Sequence, residues 1–146
     1  MSLKNATWIH GTSVQFENHS WAARALRQGY FTTVTPSNES LSGWVHFAIP
    51  TPVIVNNKRS KAESVMIRFT TGSHASIGAV HVWDGETAIY VRNQVSYKAD
   101  KRGFVRDMIP NQPEVEWGTS ISIFVIFDGR GVNSWIELIG AGIEFC

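Results

Sequence analysis

The stretch SIGAVHVWDGETAIYV, residues 76–91, decides the reading of the fold. Two apolar alternations meet at Asp84-Gly85, a pair that accepts the positive φ angles of a type I′ turn, so Ser76–Trp83 and Glu86–Val91 are expected to form a β-hairpin. That turn sets a register with Trp83 opposite Glu86, His81 opposite Ala88 and Ala79 opposite Tyr90. Side chains alternate across a strand. Val80, Val82, Ile89 and Val91 are therefore expected on one side, and His81, Trp83, Glu86 and Tyr90 on the other.

The same division recurs on either side of the hairpin. Gly43–Ile49 sets Val45, Phe47 and Ile49 against Trp44, His46 and Ala48; Glu63–Thr70 sets Val65, Ile67 and Phe69 against Met66, Arg68 and Thr70. Thr119–Phe127 sets Ile121, Ile123, Val125 and Phe127 against Ser122, Phe124 and Ile126. Asn133–Ile139 sets Ile136 and Leu138 against Trp135, Glu137 and Ile139. Shorter strands are expected at 6–9, 13–17, 30–34 and 141–145, with turn residues between them at close spacing. One helical turn or two is expected from Ser20 to Gln28, where Ser20 can cap and Gly29 can terminate. Tyr97 to Pro113 reads as a long irregular stretch whose Phe104, Val105, Met108 and Ile109 pack on the core rather than serve as a lid. The pattern is that of one all-β domain over residues 1–146, an antiparallel β-sandwich of jelly-roll type, with a flattened barrel as the alternative.

Composition bounds the function. At 146 residues the chain can bury roughly 70% of its unfolded surface in one core. Net charge is +1, and the only local basic excess is Lys98, Lys101, Arg102 and Arg106, so the electrostatic footprint of a nucleic-acid binder is missing. Cys146 is the single cysteine, which excludes an intrachain disulfide and a cysteine-based metal site. Residues 1–10 lack the features of a signal peptide and no apolar run has the length of a spanning helix, so cytoplasmic residence without membrane partners is expected.

The aliphatic side of each strand is core; the other side mixes indole, imidazole, phenol, guanidinium and carboxylate. Broad apolar walls with a few orienting polar groups suit a small-molecule or saccharide site. The candidate ligand-binding residues are Trp8, His10, Trp44, Arg68, Trp83, Glu86, Tyr90, Phe124 and Trp135. Trp8 with His10, Trp44 with His46, and His81 with Trp83 each sit two apart, so each pair shares a strand face. Should the site be catalytic, His46 or His81 would move a proton or polarise a carbonyl, oriented by a carboxylate such as Glu86 or Glu137. No metal-ligand spacing, nucleotide-binding loop or nucleophile elbow occurs, and no cofactor or metal is expected.

Trp8-Ile-His10-Gly11, Trp44-Val-His46 leading to Ile49-Pro50-Thr51-Pro52, Val80-His-Val-Trp-Asp-Gly85 and Gly140-Ala-Gly-Ile-Glu-Phe145 resemble a family of small uncharacterised proteins from bacteria and fungi. The resemblance implies a small β domain and carries no function. Three classes of function stay open: a binding module for a small organic molecule or saccharide, a cofactor-independent cyclase or isomerase of natural-product type, and a homodimerising structural domain.

Overall fold

Thirteen strands account for nearly all regular structure in the computed structural model, which describes residues 4–18 and 21–146 apart from the side chain of Ala23. They are β1 (Asn5–His10), β2 (Gln15–Phe16), β3 (Ala22–Gln28), β4 (Phe31–Pro36), β5 (Ser42–Ile49), β6 (Ile54–Val55) and β7 (Lys58–Arg59). Then follow β8 (Ala62–Thr71), β9 (Ala75–Asp84), β10 (Thr87–Tyr97), β11 (Gly103–Met108), β12 (Thr119–Phe127) and β13 (Ile136–Phe145). A front sheet of five strands runs β10-β9-β12-β5-β2, and a back sheet of six runs β11-β8-β13-β4-β3 with β1 also pairing β13. All pairings are antiparallel. The protein is an all-β, jelly-roll-like sandwich, and among the described residues no helix is long and apolar enough to cross a membrane.

The core lies where alternation puts it. Val45, Phe47 and Ile49 of β5, Ile121, Ile123, Val125 and Phe127 of β12, and Val80 and Val82 of β9 meet Val65, Ile67, Phe69, Ile136, Leu138 and Ile143 from the back sheet. Each such side chain contributes about 1.5–3 kcal/mol on leaving water. This common interior is what forces the strands to keep their register.

Several expectations are corrected. Ala22–Gln28 is a strand and not a helix: it forms a hairpin with β4, from Gln28↔Phe31 to Ala22↔Pro36, so cross-strand pairing overrides the helix preference of its alanines and leucine. The proposed cap Ser20 lies outside the described residues. The stretch 97–113 is not irregular throughout, because Gly103–Met108 pairs with β8 as the edge strand of the back sheet. Only Val105 and Ile109 of its four large apolar residues pack inward, while Phe104 and Met108 are exposed. The two final strands are one, joined through a register shift at Ile139.

The hairpin itself turns differently. Asp84 pairs with Thr87, leaving Gly85 and Glu86 as the loop. Only Gly85 has a positive φ, +54°, which is the demand of a type II′ turn. The type I′ pattern sits instead at Asn56-Asn57 between β6 and β7, with φ of 52° and 64°. Beyond the loop a β-bulge between Ala88 and Tyr90 resets the ladder, so Tyr90 pairs with buried Val82 and Val91 with His81. Tyr90 thus faces the interior and Val91 the solvent, the reverse of the expected parity.

The bulge puts Tyr90 at the edge between β10 and β11, where its hydroxyl donates to Asp107 Oδ2 at 2.5 Å and Arg92 pairs with the same oxygen at 2.9 Å. The two edge strands are clasped there. Burial, with the Asp107 carboxylate adding to it, pushes the Tyr90 phenol up to about 12. A phenol in the unfolded chain ionises from about pH 10. The folded state holds its proton longer, so this stability is complete below about pH 10 and is lost between about pH 10 and 12. Tyr90→Phe is expected to cost about 2 kcal/mol at neutral pH by depriving a carboxylate of its donor, and to reduce the alkaline loss. Urea titrations at pH 7 and pH 11 measure both effects.

Candidate functional site

The outer face of the front sheet gathers rings and hydrogen-bonding groups in cross-strand rows. One row is Gln15 on β2, His46 on β5, Ser122 on β12, His81 on β9 and Val91 on β10. The next is Trp44, Phe124, Ala79 and Asn93. A third holds Ala48, Ser120, Trp83 and Ala88. These side chains point outward because Val45, Phe47, Val80, Val82, Ile121 and Ile123, at alternate positions, are committed to the core.

Within these rows the rings touch. Trp44 lies 4.8 Å from the His81 ring and 5.0 Å from Phe124, centroid to centroid, both tilted. Trp83 stands two rows from Trp44, on the far side of the row that holds His46 and His81, and is 36% exposed. The imidazoles are held by polar partners. His46 Nδ1 meets Ser122 Oγ at 2.8 Å and its Nε2 meets Glu17 Oε1 at 3.3 Å. An ionised carboxylate only accepts, so in the neutral ring the proton sits on Nε2 and Nδ1 accepts the Ser122 hydroxyl. His81 Nε2 donates to Asn93 Oδ1 at 2.8 Å. Both rings are therefore fixed in tautomer and orientation.

The order Ser122–His46–Glu17 has the form of a nucleophile–base–acid chain. Ser122 is only 4% exposed, and β12 is hydrogen-bonded on both sides, so neither an accessible nucleophile nor spare N–H donors for an oxyanion are at hand. The chain orients His46.

The residues expected in one site divide between two opposite faces. Trp44, His46, His81, Trp83 and Phe124 share the front face. Trp8, His10, Arg68 and Glu137 lie on the outer face of the back sheet, where His10 pairs with Gly140, Arg68 also pairs with Gly140, and Glu137 pairs with Thr70. Trp135 precedes β13 and sets its indole nitrogen 2.7 Å from where a Cβ of Gly72 would stand. Glu86 occupies the hairpin loop, and Tyr90 is in the interior edge clasp. Alternation separates outward from inward but does not say which of two sheets a strand joins, and that is why one expected face becomes two. Glu17, Ser122 and Asn93 were not expected as site residues. Parity alone turns Ser122 toward the outer face; Asn93 owes its place to the bulge, and Glu17 follows a two-residue strand that carries no signal.

His10 is on the other sheet from His46 and His81, so the three imidazoles do not converge. Asp84 is buried with no role on either face. Its burial alone would raise its pKa, but N–H donors from Glu116, Trp117 and Gly118 hold it below the ordinary carboxylate range.

A family model described as "Family of unknown function (DUF6623)" matches residues 2–146. No curated protein matches the sequence. Among solved structures the chain is similar to the low affinity xylan binding module CBM86 from Roseburia intestinalis, with TM-score 0.56, 11% identity and coverage of 99% of this chain and 97% of that one. It is similar to the C-terminal CBM6 of LamC from Zobellia galactanivorans, with TM-score 0.52, 14% identity and coverage of 95% and 98%. A cyclase from Fischerella sp. TAU matches with TM-score 0.51, 12% identity and coverage of 94% and 83%. At such identities the likeness is one of fold.

Proposed function

We propose that this chain, which belongs to the DUF6623 family of unknown function, binds a saccharide on the outer face of its front sheet. The observation that carries the reading is the contact of Trp44 with both His81 and Phe124, flanked by hydrogen-bonded His46, Ser122 and Asn93. A sugar ring has an apolar face of C–H groups and an equatorial rim of hydroxyls. An indole platform offers the first a dry surface, and fixed imidazole and amide groups offer the second donors and acceptors. Glycans suggest themselves as probes because two proteins of the same fold are named as carbohydrate-binding modules.

Affinity electrophoresis in gels containing soluble xylan or laminarin tests the reading. The wild-type chain is expected to be retarded in one of them, and Trp44→Ala or Trp83→Ala to weaken binding by about tenfold or more with the melting temperature nearly unchanged. Equal retardation of all three would overturn the proposal. So would a variant that shifts only the sedimentation coefficient, because the face would then be a dimer contact.

One observation favours a second reading, an isomerase or cyclase. His46, polarised by Glu17 and supported by Ser122, is oriented to exchange a proton with a bound unsaturated substrate. His46→Gln then abolishes turnover while leaving binding, whereas in the first reading it alters binding alone.

A further inference from the structure

The back sheet carries a second feature that saccharide binding on the front sheet does not use. Along one edge of β13 the partner strand changes: β4 pairs with Ile136–Leu138, and β1 pairs with Gly140–Phe145. Ile139, at the register shift between them, bulges out of the ladder. The seam leaves a hollow of about 290 Å³ lined by Trp8, Ile9, His10, Arg68, Ile139 and Gly140. The Trp8 indole runs along the backbone of β13, where a Cβ on Gly140 would stand 3.6 Å, and one on Gly142 2.9 Å, from ring atoms.

Two donors border this hollow without a partner. Arg68 is exposed, and among the described residues no carboxylate comes within ion-pair distance of its guanidinium. Glu137, on the same face, pairs across with Thr70 one row further along. His10 Nδ1 accepts the Thr12 backbone N–H at 3.2 Å, so the neutral ring keeps its proton on Nε2 as a free donor. A planar five-donor fork matches a carboxylate in two-point contact, and the indole beside it, 43% exposed, offers a flat apolar wall.

We propose that this hollow is a second binding site, for a carboxylate borne on a ring that lies against Trp8. Arg68 grips the carboxylate, His10 Nε2–H donates to it, and Gly140 leaves room for the ring. The same chemistry is met in a uronic acid and in an aromatic acid. The test uses both: glucuronate and indole-3-acetate, each beside its uncharged counterpart, methyl glucuronate ester and indole-3-acetamide. Binding is followed by the tryptophan side-chain N–H signals in two-dimensional NMR, with the indole of Trp8 assigned through Trp8→Phe.

At least one acid is expected to shift the Trp8 signal at millimolar concentration. Its neutral counterpart binds about tenfold more weakly or worse, and Arg68→Gln weakens the acid about ten- to a hundredfold. Which acid binds tells the source of the ring. Trp44→Ala leaves this binding intact, which separates its fate from that of the front face. The proposal is overturned if neither acid moves Trp8, if acid and neutral partner bind equally, or if Arg68→Gln binds as wild type does.

Discussion

Asp84→Ala is expected to lower the unfolding free energy by about 4 kcal/mol. The Asp84 carboxylate is 5% exposed and accepts three backbone N–H groups: Glu116 at 2.8 Å, Trp117 at 2.9 Å and Gly118 at 3.1 Å. It ties the segment entering β12 to the end of the β9–β10 hairpin, and Gly85 N–H donates to Gly118 O at 2.9 Å beside it. Alanine would leave those donors in a site with little water. A buried donor stripped of its acceptor costs roughly 1–3 kcal/mol, and partial rehydration of the loop keeps the sum below the simple total. The carboxylate is held below its ordinary range, so the stability it adds is complete above about pH 4 and falls as the pH drops through its folded value. Urea midpoints at pH 7 and pH 3 check this. Wild type should lose more than Asp84→Asn on acidification, and equal losses would show that the anchor is not ionic.

Gly11→Ala is expected to cost about 3 kcal/mol or to prevent folding at physiological temperature. An added Cβ would stand 1.8 Å from the carbonyl oxygen of Leu138, which is backbone and cannot swing aside. Gly11 is buried where β1 ends and the chain turns through Gly11–Ser13, and its carbonyl accepts from Thr32 Oγ1 at 2.7 Å. The close approach lets β1 and β4 share one edge of β13. Prising it open would shift β1, and with it Trp8 and His10. Thermal unfolding of Gly11→Ala against Gly29→Ala measures the effect, since a Cβ at Gly29 would meet nothing within 4 Å. Equal melting temperatures would refute the argument.

How much of this was open to inspection in the sequence depends on what each residue answers to. Thr119–Phe127 and Gly43–Ile49 follow strict alternation because one interior claims every second side chain, so strand limits and outward residues are both legible. Ala22–Gln28 answers to its partner β4, and its local composition misleads. The bulge at Ala88–Tyr90 has no residue signature, yet it moves Tyr90 from the expected site to a structural clasp and brings Val91 and Asn93 beside His81 and Ala79. The division of the expected site was hidden for a topological reason. Nothing local to Trp8, Arg68 or Glu137 says that β1, β8 and β13 form the sheet opposite to β5, β9 and β12.

The front face is a working surface or it is only an outer surface, and tryptophan signals discriminate. In a titration with xylo-oligosaccharide and laminari-oligosaccharide, the account predicts saturable shifts of the Trp44 and Trp83 indole N–H signals, with Trp8 and Trp21 unmoved. Saturable shifts confined to Trp8, or no shift at Trp44 with either sugar, would contradict it.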